Sequence, residues 1–276
     1  MRDFASKPSP EIRRRLPILW LSAALAVELC IPAATLPAEE LARPTIALSV
    51  AEQAWIKAHP RMRLGVDRTY QPISFIDDKN RYSGLAADYA RLLESALGIQ
   101  FEIVPLPASE RLQAISAGRV DVLDSVGRTL ERESFVNFTR AYATFPFAVV
   151  VRAGTPYISD LSDLSGKHVV VLEGRSVFDE IDASGLTLRV TTVPDQRAGY
   201  DMVARGEADA SINNFAIAVD TLAESYAGRL KIGSVIPEHQ QALSFAVRKD
   251  WPEFAAILDQ ALTAIPNETR RAARRI

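Results

Sequence analysis

Four short groups of residues hold side chains able to recognise a small polar molecule: 67–70, 124–132, 173–176 and 213–214. Each follows an apolar stretch with the composition of a strand. Between them they supply the carboxylate of Asp67, the phenol of Tyr70, the hydroxyls of Ser125 and Ser176, the guanidiniums of Arg132 and Arg175, the amide of Asn214 and an open backbone at Gly127. These types bind by charge pairing and hydrogen bonding. The motifs of catalysis are missing. The sequence has no phosphate loop, no Gly-x-Gly-x-x-Gly and no Gly-x-Ser-x-Gly elbow. Gly166-Lys167 lacks the loop before it and the hydroxyl after it, and reads as a turn before a strand. Ser176 with Asp179 reads as a capping box, a helix start whose free N–H groups also suit a ligand. His59, His168 and His239 lie far apart without metal-ligand spacing, and Cys30 is the sole cysteine. The expectation is a binding protein with no catalytic residue, no metal and no cofactor.

The elements that must position these groups alternate. Residues 61–66 read as a strand, 85–96 as a helix closed by Gly98, 101–104 as a strand, 109–117 as a helix closed by Gly118, and 120–123 as a strand. Residues 145–151 form a long apolar run that leaves this unit. A second unit repeats the order. It has an almost wholly apolar strand at 168–172, a helix from Val177, a strand at 188–193, a helix at 200–205 with Gly206 after it, and a strand at 208–212. A helix over 216–227, an alternating strand at Leu243, Phe245 and Val247, and an amphipathic helix over 254–265 close the chain. Repeated β-α-β-α-β predicts parallel sheets with crossover helices. In such sheets ligands bind beyond the C-terminal strand ends, where all four polar groups fall. Two units facing one another would form a cleft, with no one sheet running through both.

The composition is that of an ordinary globular protein: 276 residues, 48% hydrophobic, 24% charged, net charge −2. So small a net charge gives no basic field and argues against nucleic acid as a partner. The N-terminus differs. Arg13, Arg14 and Arg15 precede an apolar run over 16–36 ending in small residues. That is the pattern of an export signal removed near residues 33–38. The run is also long enough to be retained as a membrane anchor, although Glu28 and Pro32 interrupt it. Either way the remainder is expected in the periplasm, free or tethered to the inner membrane.

Several motifs in order resemble the bacterial extracellular solute-binding proteins of family 3. That family opens on Gly-x-Asp-x-x-Tyr-x-Pro-Phe, and this chain has Gly65-Val66-Asp67-Arg68-Thr69-Tyr70-Gln71-Pro72-Ile73. Gly84-Leu85-Ala86-Ala87-Asp88-Tyr89 matches its Gly-Phe-x-x-Asp-Leu, and Gly118-Arg119-Val120-Asp121 its Gly-x-x-Asp strand. Thr129-Leu130-Glu131-Arg132 stands for Thr-Pro-Glu-Arg, and Phe138-Thr139-Arg140-Ala141-Tyr142 for Phe-Ser-x-Pro-Tyr. Leu164-Ser165-Gly166-Lys167-His168-Val169 and Gly206-Glu207-Ala208-Asp209-Ala210 follow. The resemblance implies an α/β, two-lobed periplasmic-binding-protein fold of type II. Its second lobe is inserted in the first and its ligand cleft lies between them. The implied layout is a signal or anchor at 1–38, a helical lead-in at 39–60, lobe one at 61–152, lobe two at 153–238 and a return to lobe one at 239–276.

By the same resemblance Asp67 and Tyr70 contact the ligand, Tyr70 stacking on it, and Arg132 clamps its carboxylate. Ser125 and Gly127 stand nearest to the hydroxyl residues that assist that clamp. Departures matter. The stretch from Asp121 to Arg132 is one residue shorter than in typical amino acid binders. Gly174-Arg175-Ser176 replaces Gly-Ser-Thr, with Arg175 a second cation. Asn214 replaces the aspartate that pairs with an α-amino group, which removes a negative charge and weakens the case for an amino acid. Two roles stay open. One is capture of a small carboxylate, amino-acid-like or an organic acid, for uptake by an ABC-type permease. The other is ligand sensing as the input domain of a kinase or cyclase signalling protein, which the departures resemble more.

Overall fold

The computed structural model describes residues 46–174, 177 and 185–273. Signal and anchor expectations for 1–38, and Cys30, lie outside the described residues, as do Arg175 and Ser176. Ser49 opens the first helix, α1 (Val50–Ala58), through a reciprocal capping box with Glu52. The strand β1 (Arg61–Asp67) follows, then a hairpin-like trio, β2 (Thr69–Tyr70), β3 (Ser74–Ile76) and β4 (Tyr82–Ser83), forming a small antiparallel sheet of its own. Helix α2 (Leu85–Leu97) ends at Gly98 in the left-handed conformation, as its sequence position predicts. Gly84 ahead of it is obligatory: at φ +99°, a Cβ there would lie 2.6 Å from the carbonyl oxygens of Pro72 and Ile73. The first unit continues with β5 (Gln100–Leu106), α3 (Arg111–Ser116), β6 (Val122–Gly127), α4 (Leu130–Glu133) and β7 (Val136–Phe138).

β8 (Ala143–Arg152) carries the chain out of this unit. Beyond it come β9 (His168–Leu172), β10 (Arg189–Val193), α5 (Gln196–Arg205) capped by Asp195, β11 (Ala210–Asn214) and α6 (Phe215–Thr221), which runs on into a π-helical turn at Leu222–Tyr226. β12 (Leu230–Arg248) returns, and α7 (Pro252–Ala264) and α8 (Asn267–Ala273) close the described chain. β9 is buried along nearly its whole length and pairs in parallel with β10 and β11, while β1 pairs in parallel with β5 and β6.

One expectation needs correcting. The large sheet is continuous in its hydrogen bonding, in the order β10-β9-β11-β8-β12-β6-β1-β5, so a single ladder passes through both halves. The physical reason is the length of the crossover strands. β12 has 19 residues and pairs with β8 on both sides of an irregularity between Ile236 and Gln240. The apolar cores nevertheless divide. One set of buried side chains comes from residues 56–143 and 217–265, and holds Leu64, Tyr89, Phe245 and Phe254. Two others come wholly from residues 147–236, on opposite faces of the second half, around Val149 and Val171 and around Val150 and Tyr200. Ile217 of α6 is the exception, packing into the first core from the second half.

Candidate functional site

The polar groups meet where the strand order reverses, at the C-terminal ends of β1 and β6 on one side and of β9 and β11 on the other. Asp67, the last residue of β1, is fully buried. Its Oδ1 accepts from Thr69 N at 3.0 Å, and its Oδ2 lies 3.9 Å from Arg111 Nη1. β6 extends further than its apolar run suggests, so Asp124 to Gly127 belong to the strand. There Asp124 and Ser125 oppose the single residue Phe245 of β12, a bulge that re-aims both side chains. Ser125 takes φ +38°, which a residue with a Cβ adopts at a cost of roughly 1–3 kcal/mol.

The bulge turns Asp124 into the protein. Its carboxylate is fully buried and receives the Arg111 guanidinium, Ser74 Oγ, Tyr82 Oη at 2.6 Å and Ser125 Oγ at 3.0 Å. Arg111 Nη2 also donates to the Asp124 carbonyl. Burial, and then the Asp124 charge, push the Tyr82 phenol well above its usual range, so it stays protonated and donates. The same two causes raise Tyr142. Sequence reasoning missed Arg111 and gave Asp124 no role of its own. Arg111 sits at the start of a short helix, where a lone arginine reads as a surface charge, yet it is 5% exposed.

Arg132 lies in α4, whose first turn is capped by Thr129. Its Nη1 donates to Gly127 O at 3.1 Å, and its Nη2 reaches Gly174 O at 3.5 Å across the cleft. Tyr70 is almost wholly buried, and its hydroxyl donates to Gln241 Oε1 at 2.6 Å. Asn214 caps α6 by accepting from Ala216 N, while its Nδ2 donates to the same Gln241 oxygen at 3.0 Å. Gln241, on the crossover strand β12, thus joins the expected ligand residues of the two lobes. It too was missed, because the stretch 237–241, Pro-Glu-His-Gln-Gln, has none of the apolar alternation that marks a strand. Gly174, at φ +72°, comes so near lobe one that a Cβ would stand 2.9 Å from Ala108 O. Arg111, Ser125, Gly127, Arg132, Gly174 and Gln241 all line one cavity of about 20 Å³, room for about one water. Asp67, Tyr70 and Asn214 do not line it. Among the described residues no group of His, Cys, Asp or Glu is arranged to hold a metal ion.

The sequence profile of the bacterial extracellular solute-binding proteins, family 3, matches residues 62–274. The chain belongs to that family. Its relatives in the family divide by role. The virulence sensor protein BvgS of Bordetella pertussis is 26% identical over 223 residues, which cover 80% of this chain but 18% of the sensor. The L-arginine-binding protein of Pseudomonas aeruginosa is also 26% identical, over 80% of this chain and 88% of the relative. The chain therefore spans under a fifth of the sensors it matches and most of the binding protein. Among solved structures, the second periplasmic Venus flytrap domain of B. pertussis BvgS superposes with a TM-score of 0.76 at 24% identity, covering 83% of this chain and 97% of that domain. This likeness establishes the two-lobed flytrap fold. No helix among the described residues is long and apolar enough to cross a membrane.

Proposed function

We propose that this domain is an extracytoplasmic signalling input, a flytrap whose resting state is closed and which reports a small polar molecule by the change in that closure. One observation carries the reading: the protein's own side chains link the two lobes across the cleft. Tyr70, Gln241 and Asn214 bridge it, Arg132 meets Gly174, and the cavity that Arg111, Ser125 and Arg132 line is about 20 Å³. A pocket for a small organic molecule takes roughly 300–1,000 Å³. A carrier that clamps its cargo's carboxylate should keep a void of the cargo's size beside the clamp, and the cavity at Arg132 is far smaller than that. The similarity to sensor proteins supports the same role, with a signalling module as partner and the periplasm as location. Binding rather than catalysis is the activity in this reading.

Uptake is the second reading, favoured by the near full-length match to an L-arginine-binding protein. In it a small carboxylate, amino-acid-like or an organic acid, is held by Arg132 with Tyr70 on its body and delivered to an ABC-type permease. A strain carrying Gln241→Ala separates the two. The sensing reading expects an altered transcript profile with normal growth on each sole nitrogen or carbon source. A growth defect on one such source with an unchanged profile establishes uptake instead.

A further inference from the structure

The floor of the cleft in lobe one has the makings of an anion site, and the protein fills it itself. Around the Asp124 carboxylate stand a guanidinium, two aliphatic hydroxyls and a phenol, all donating to it. Both Arg111 and Asp124 are at least nine-tenths buried. Arg111 Nε has no hydrogen-bond partner among the described residues, and Arg111 and Ser125 both line the adjoining small cavity. A cation withdrawn from water needs a counter-ion at contact distance. The donors come from four separate places in the chain, β3, β4, α3 and β6, so the site is built by the fold and not by one turn. The bulge and the left-handed Ser125 bring the carboxylate into it.

We infer that Asp124 is a tethered anion, a specificity-determining residue that occupies a carboxylate site in lobe one and so bars free carboxylates from the cleft floor. The inference takes the cleft as the ligand site, as the proposed function does, but concerns only its charge. Ligands reaching the closed cleft must then be recognised by groups other than Arg111. Truncating Asp124 leaves a hole with the shape and donors of a carboxylate, which formate or acetate can fill from solution.

The test is chemical rescue of Asp124→Ala. Its melting temperature should fall by roughly 10 °C, because the buried Arg111 loses its contact partner and keeps only Asp67, at 3.9 Å, as a counter-ion. At 100 mM formate or acetate more than half of that loss should return, saturably, while equal ionic strength of sodium chloride returns little. The parent and the double variant Arg111→Met/Asp124→Ala should respond to formate no more than to chloride. If Asp124→Ala does not accumulate folded, its refolding yield with and without formate is the readout, and recovery supports the inference. No recovery with either carboxylate, or equal recovery with chloride, overturns it. So does an equal formate response in the double variant. None of these outcomes depends on whether the domain senses or carries a ligand, because lobe closure and transcript profile are not the quantities read.

Discussion

Two aspartates three residues apart, one just before β6 and one inside it, have opposite fates. Asp121, just before β6, lies at the N-terminal edge of the sheet. Its carboxylate takes Arg63 in a two-pronged pair, Nη2 to Oδ1 at 2.7 Å and Nε to Oδ2 at 3.0 Å, with Arg248 Nη1 at 3.2 Å. Burial works to raise its pKa, but the hydrogen bonds and charge of Arg63, helped by Arg248, outweigh it and hold the carboxyl below the usual range. This is a clasp between β1, β6 and β12, open to water through its arginines. Asp124 lies at the bulge within β6, just past its pairing with β1, wholly buried, with Arg111 as its cation. The residue pairing is the same in kind. Its place along the strand decides whether it ties strands together at the sheet edge or is buried beneath the cleft between the lobes.

Breaking each pair should expose the difference. The largest effect belongs to Arg111→Met, which strands Asp124 without its cation in the interior. A loss of about 3–5 kcal/mol in urea unfolding is expected. A loss under 1 kcal/mol would mean that the pair is dispensable. Arg63→Met at the other clasp should cost only about 1 kcal/mol, since Arg63 is more than a third exposed and water screens its pairing with Asp121. The Asp121 clasp also has a pH signature. Its folded-state pKa lies below the unfolded one, so its contribution is fully present above about pH 4 and is lost as the pH falls through the folded value. Asp121→Asn should therefore be less stable than the parent at neutral pH and converge with it in acid. A gap that does not narrow as the pH falls below about 4 contradicts the assigned titration.

Much of this fold was legible because its signals are local. Apolar runs marked β1 and β9, and Gly98 and Gly206 marked helix ends by their left-handed backbones. The repeated strand and helix order announced the two halves. The site was legible only in part. Arg132, Ser125 and Gly127 line one small cavity together, whereas Tyr70 and Asn214 are turned to Gln241. Arg111 and Gln241 were illegible because nothing near them in the chain tells of their burial. Each becomes central only through partners 13 to 171 residues away. The continuous ladder was hidden for a similar reason, since Pro237 and the polar residues after it disguise the middle of β12.

Smaller effects concern closure. Arg132→Ala removes the reach to Gly174 O and, in the uptake reading, the carboxylate clamp. Calorimetry against paired acids and amino acids should show no ligand whose affinity depends on Arg132 by more than about tenfold, if closure is self-made. A loss of two to five kcal/mol, roughly 30- to several-thousand-fold, is what a clamp on a desolvated carboxylate entails. Gly174→Ala places a Cβ against the Ala108 carbonyl and strains a left-handed backbone. It should loosen the lobes with little change in the stability of either core, visible as faster hydrogen exchange at the Gln241 and Asn214 amides.

Whether the flytrap rests closed on its own side chains is read by small-angle scattering of the purified, ligand-free chain beside Gln241→Ala. The parent curve should match the closed form and stay unchanged with a panel of amino acids and organic acids, while the variant should show a larger radius of gyration. A ligand-free parent that scatters as an open molecule and contracts when one of those compounds is added would contradict a closed resting state.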